Sequence, residues 1–133
     1  MPGVLNKAFD IAILIGIPLS YVGVPAMTIW GWFRWTREKW PHHIVAGFSY
    51  AGFGVASASV LLAVCSIAYS LATGGFAYYA PSLMRIFYWG FHISAIAVIF
   101  ALAGVWRRNP LRWHAVVCSC GMLFFWSYSA MLE

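Results

Sequence analysis

"IVAGFSYAGFGVASASVLLAVCSIAYSLA", residues 44–72, contains no Asp, Glu, Lys or Arg. A helix rises about 1.5 Å per residue and the hydrocarbon core of a bilayer is about 30 Å thick, so this run is long enough to cross with some tilt. It lacks the ten-residue apolar–polar alternation of an outer-membrane strand. Within lipid a helix satisfies its backbone polar groups by itself. The stretch therefore predicts a transmembrane helix.

Three further runs flank it: Ile11–Phe33, without a charge; Ile86–Trp106, interrupted by His92; and Trp113–Leu132, with His114 at its start. The composition agrees, with 63% hydrophobic and 8% charged residues in 133. Soluble domains average about 25% charged residues, and a short soluble chain could not bury so much apolar surface. The first run is too long for a signal-peptide core and is expected to remain as a span. Short linkers force neighbouring spans to run antiparallel. The expected fold is an all-α membrane protein: one domain, residues 1–133, of four transmembrane helices in an antiparallel up-down bundle. Pro18 and Pro25, beside Gly16 and Gly23, are expected to kink the first helix.

The net charge of +5 is read by position. Arg34, Arg37, Lys39, Arg107, Arg108 and Arg112 fall in the first and third loops, while the other side holds only Lys7 and Arg85. That asymmetry predicts both termini outside, the basic loops in the cytoplasm, and residence in a cell's inner membrane. Nucleic-acid binding would need a solvated basic face, which these short loops do not offer.

Both basic loops are rich in tryptophan: "WGWFRWTREKWPHH", residues 30–43, and "VWRRNPLRWH", residues 105–114. Trp and Arg favour the membrane–water boundary, so Trp35, Arg37, Trp40, Trp106, Arg108 and Trp113 are read as interface anchors in an aromatic belt. The likeness of the two loops also fits a duplicated hairpin of the kind some transporters use.

Small residues mark helix-packing faces. Gly90, Ser94, Ala97, Ala101 and Gly104 follow a 4-3-4-3 spacing in the third span, and Gly47, Ala51, Gly54 and Ala58 follow 4-3-4 in the second. Such spacing lines one face of a helix and allows close approach in lipid. The two spans are expected to pack on each other or on another subunit.

Residues able to carry chemistry are few. Asp10, Glu38 and Glu133 form no acid–base pair, and Asp10 is expected to cap the first helix. Cys118 and Cys120 project about 200° apart on one helix, and Cys65 belongs to the other half of the bilayer, so no redox pair is expected. His114 and Cys118 share a face and, with His42 or His43, fall short of a four-ligand zinc site. The reading leans away from an enzyme.

His92 is the one candidate cofactor ligand, because an ionisable group inside a span is costly. It is expected about 10 Å below the outer surface and turned away from the small-residue stripe. The other histidines lie roughly 20 Å off, which excludes a two-histidine haem within one chain. The primary functional expectation is a packing or interaction component, with the lipid bilayer and other membrane subunits, or further copies of itself, as partners. The alternatives are a subunit binding haem, quinone or pigment through His92, and a small dimeric transporter. The identity of any cofactor is not legible in the sequence.

Overall fold

The structure is a computed structural model describing residues 2–37, 43–77, 80–109 and 111–132. It is all-helical, with four helices long and apolar enough to span a membrane, packed against each other. The first span comprises α1 (Pro2–Pro18), a π-helical turn (Leu19–Gly23) and α2 (Val24–Arg37). The others are α3 (Ile44–Thr73), α4 (Pro81–Gly104) and α5 (Arg112–Met131).

The π turn lies between the two prolines. Pro25 has no N–H to donate, and its ring would meet the carbonyl four residues back. The wider turn avoids that clash: the Val24 N–H reaches past the usual partner to the Leu19 carbonyl. Gly23, within this turn, takes no left-handed conformation. That conformation is used at Gly74 and Gly75, with φ of 80° and 103°. Both amides return to the Ser70 carbonyl and end α3.

The first span begins nine residues earlier than Ile11, at Pro2. Asp10 therefore sits within α1 and is not its cap. Lipid-length arithmetic locates the apolar run but not how far the helix continues outside it. α4 likewise begins at Pro81, a favoured first-turn residue, five residues before Ile86.

α3, α4 and α5 form the core of the bundle. The α3–α4 pair is antiparallel and very close: a Cβ on Gly104 would meet Ser49, one on Gly52 would lie 2.8 Å from the Ala101 amide nitrogen, and Ser59 bonds to Ser94. The first span leans on α5 through α2, where Gly31 faces Phe53 and His114, and Gly121 faces Val24. α1 contributes no buried residue.

Candidate functional site

On α4 the small residues Gly90, Ser94, Ala97, Ala101 and Gly104 are all buried. Their partners on α3 are not those expected. Ala51 and Ala58 are exposed, Gly47 and Gly54 are half-buried, and a Cβ on Gly47 would meet nothing. The α3 residues that meet α4 are Ser49, Gly52, Ala56, Ser59 and Ala63, on a neighbouring face with its own 3-4-3-4 spacing. Positions 49 and 104, 52 and 101, and 59 and 94 oppose one another, and the same register sets 56 opposite 97 and 63 opposite 90. Both faces of α3 carry small residues, but only this one also offers hydroxyls that α4 and α5 can use.

Those hydroxyls build a buried polar chain absent from the sequence reading. Ser59 and Ser94 share a hydrogen bond of 2.7 Å, and Trp126 Nε1 donates to Ser59 Oγ at 2.8 Å. The Trp126 ring is 1% exposed and rests on Gly90, whose missing side chain leaves the space. The available signal was the pair of serines inside apolar spans, since a hydroxyl in hydrocarbon needs a partner. Near the basic end, Asn109 Nδ2 donates to Ser49 Oγ at 3.1 Å and to the Arg107 carbonyl at 2.9 Å. That ties the segment just after α4 to the start of α3. Trp32 Nε1 donates to Ser57 Oγ at 3.1 Å, tying α2 to α3.

The two tryptophan-rich clusters meet at one end of the bundle, where Trp30 lies edge-on to the buried His114 with ring centroids 5.5 Å apart. Trp35 is turned inward. Half-buried, it stacks on Trp32 at 5.0 Å and packs edge-on to Tyr50 at 4.9 Å, against the edge of the core. Trp32 and Trp35 both also lie against Phe53 of α3, at 5.7 and 6.0 Å between ring centroids. Trp106 and Trp113 are exposed, as are Arg37 and Arg108, and the Arg112 guanidinium lies 5.1 Å from the Trp113 ring centroid. Trp40 and His42 lie outside the described residues. Cys118 is buried with its sulfur 3.5 Å from the Thr28 hydroxyl, whereas Cys65 and Cys120 are exposed and all three are free.

His92 lies on the outer surface of α4, bordering an open groove against α5 of about 430 Å³. Its Nδ1 is 2.7 Å from the Tyr88 carbonyl one turn back, and the Tyr88 ring lies 4.1 Å from the imidazole, with Phe91 on another side at 5.9 Å. Because α4 starts at Pro81, His92 stands eleven residues from one end of the helix and twelve from the other. It is thus about 17 Å along the helix from either end. Two further clefts flank α5. One of about 360 Å³ beside the π turn is lined by apolar groups of the first span and α5. The other, of about 320 Å³, lies at the far end and is edged by Ser66, Ser70 and Ser129.

Comparison with protein-family models, curated proteins and solved structures finds no match. The residues themselves are the basis for any functional reading.

Proposed function

We propose that this chain is an integral membrane protein of a cell's inner membrane that acts as a packing or interaction component, a subunit joined to other membrane subunits or to further copies of itself. The supporting observation is α1. The first span runs 36 residues from Pro2 to Arg37, yet none of its first 17 is buried. That length corresponds to about 54 Å of helix against about 30 Å of hydrocarbon, more than an ordinary tilt of up to about 40° absorbs. With Arg34 and Arg37 held at one boundary, the opposite end carries Val4, Leu5 and Phe9 past the hydrocarbon, where each is more than 60% exposed. Apolar side chains in that position call for protein cover. The transporter reading lacks comparable support, since the mid-bundle hydroxyls Ser57, Ser59 and Ser94 are engaged with one another and with indole N–H groups.

A photo-crosslinking residue at Leu5 is expected to trap a discrete larger species in native membranes, whereas one at Ile99, on the lipid-facing side of α4, is expected to trap none. Identical patterns from the two positions would remove the docking role of α1.

The orientation belongs to the same proposal. With six basic residues in the first and third loops of the sequence, that side is assigned to the cytoplasm and both termini to the outside. In a chain lacking the native cysteines, Thr36→Cys and Thr73→Cys are expected to react with an impermeant reagent from opposite sides, and Thr73→Cys from outside. Labelling of Thr36→Cys in intact cells would invert the topology.

A further inference from the structure

We propose that the cavity between the π turn of the first span and α5 binds a small neutral molecule of the aliphatic-alcohol type, with the Ser20 hydroxyl as its hydrogen-bonding partner. The site goes beyond the interaction role and does not depend on it, because it needs no partner chain.

The cavity is a slot of about 360 Å³ at the level of Cys120 and Gly121, which stand at the middle of α5. That volume lies at the small end of the range of about 300–1,000 Å³ typical of ligand sites. A Cβ on Gly16 would collide with the Phe124 ring, and one on Gly121 with Val24, so the first span and α5 touch at both places. The slot lies beside these contacts, and Leu19 and Cys120 at its rim are exposed, which opens it sideways to the hydrocarbon. A thin aliphatic chain suits that shape.

Ser20 supplies the polar contact. Gly16, Ser20, Gly23 and Met27 follow one another at spacings of four, three and four, share one face of the first span, and all line the slot. Ser20 is in the middle of that face and only 7% exposed, and its Oγ is one bond from a Cβ on that face, so the hydroxyl is aimed into the slot. Hydroxyls elsewhere in the spans return to the carbonyl four residues back: Thr28 to Val24, Ser57 to Phe53 and Ser127 to Leu123, at 2.8, 2.9 and 2.8 Å. Ser20 makes no hydrogen bond among the described residues, and a buried hydroxyl in hydrocarbon is costly without one. Its carbonyl is open too. The Val24 N–H, four residues on, goes to the Leu19 carbonyl, and Pro25, five residues on, has no N–H to give. π turns of this kind recur at functional sites in helices.

The lining sets the chemistry of the ligand. No Asp, Glu, Lys, Arg or His borders the slot, so a charged group would stand unpaired at mid-membrane. A phospholipid keeps its polar groups at the membrane boundary, and a bare acyl chain would leave the Ser20 hydroxyl unsatisfied. An alcohol can both donate to Ser20 and accept from it, and brings its own apolar chain.

The test uses the full-length protein in phosphatidylcholine vesicles and an octanol carrying a photoreactive diazirine on its chain, with adducts mapped by mass spectrometry. Saturable labelling is expected on residues of the slot, and excess octanol is expected to displace the label more strongly than octane. Ser20→Ala is expected to weaken octanol binding by about three- to fifteenfold, the range of one hydrogen bond within a membrane, and to erase the difference between the two competitors. Ser20→Thr, which keeps the hydroxyl, is expected to retain that difference. Cys120→Phe fills the slot from an exposed position and is expected to abolish the saturable label, with thermal unfolding of each variant showing that it is folded. Equal competition by octanol and octane in the parent would make the slot a seat for a lipid acyl chain and overturn the proposal. So would labelling that does not saturate, or labelling unchanged in Ser20→Ala.

Discussion

Gly52→Leu is expected to lower the stability of the bundle by at least about 3 kcal/mol, the upper end of ordinary overpacking, because the new side chain meets backbone. A Cβ at this position would lie 2.8 Å from the Ala101 nitrogen and 3.1 Å from the Ala97 oxygen, neither of which can rotate away. α3 and α4 must separate, stretching the Ser59–Ser94 bond. Ala51→Leu, one residue earlier, adds the same bulk to an exposed face and is expected to be nearly neutral. Thermal unfolding in detergent followed by circular dichroism distinguishes them. A drop of roughly 10 °C is expected for Gly52→Leu, with little change for Ala51→Leu. The same contrast holds on α4 between the fully buried Ala97 and Ile99, which is 67% exposed: Ala97→Leu is expected to destabilise and the conservative Ile99→Leu to do nothing. Equal effects of Gly52→Leu and Ala51→Leu would show that the seam uses the other face of α3.

Trp126→Ala is expected to be the most damaging truncation, costing about 3–5 kcal/mol. The indole fills the space above Gly90 and touches Phe87 and Phe125, with ring centroids at 6.2 Å and 5.1 Å. Trp126→Phe keeps most of that packing and removes the N–H donated to Ser59. Hydrogen bonds between membrane helices average about 0.6 kcal/mol and reach about 1.7, so Trp126→Phe is expected to cost far less than Trp126→Ala. A double-mutant cycle of Trp126→Phe with Ser59→Ala isolates the bond. Coupling near zero would mean the tryptophan acts by volume alone. A Trp126→Ala variant as stable as the Phe variant would mean that the ring does not hold α5 to the α3–α4 pair.

The sequence by itself determined the class of protein. Residues 44–72 have no charge over a length that exceeds the bilayer, and three similar runs with short linkers leave few arrangements besides four antiparallel helices. It also located the prolines that interrupt the first span, because a missing N–H is a local property. The small-residue face of α4 was legible too, since the rest of that helix is bulky: Ile96, Ile99 and Phe91 leave Gly90, Ser94, Ala97, Ala101 and Gly104 as its one narrow side.

The face of α3 was decided only by tertiary structure. Around most of that helix lie Gly, Ala and Ser, and in lipid there is no hydrophobic asymmetry to mark which side turns inward. The choice fell to the face where Gly52 admits the α4 backbone and Ser59 meets both Ser94 and Trp126, partners 35 and 67 residues away along the chain. Trp35 and Trp126 were hidden for a related reason. A tryptophan's preference for the membrane boundary is a statistical property of its ring and N–H, whereas its actual position depends on whether another helix offers a hole and an acceptor. Gly90 with Ser59 offers both to Trp126, and Tyr50 and Phe53 of α3 receive one side of the half-buried Trp35. His92 stood out in the sequence as an ionisable group in a span. The bond between its Nδ1 and the Tyr88 carbonyl and the groove beside it came from the rotamer it takes on α4 and from how α5 packs, which only the assembled bundle sets.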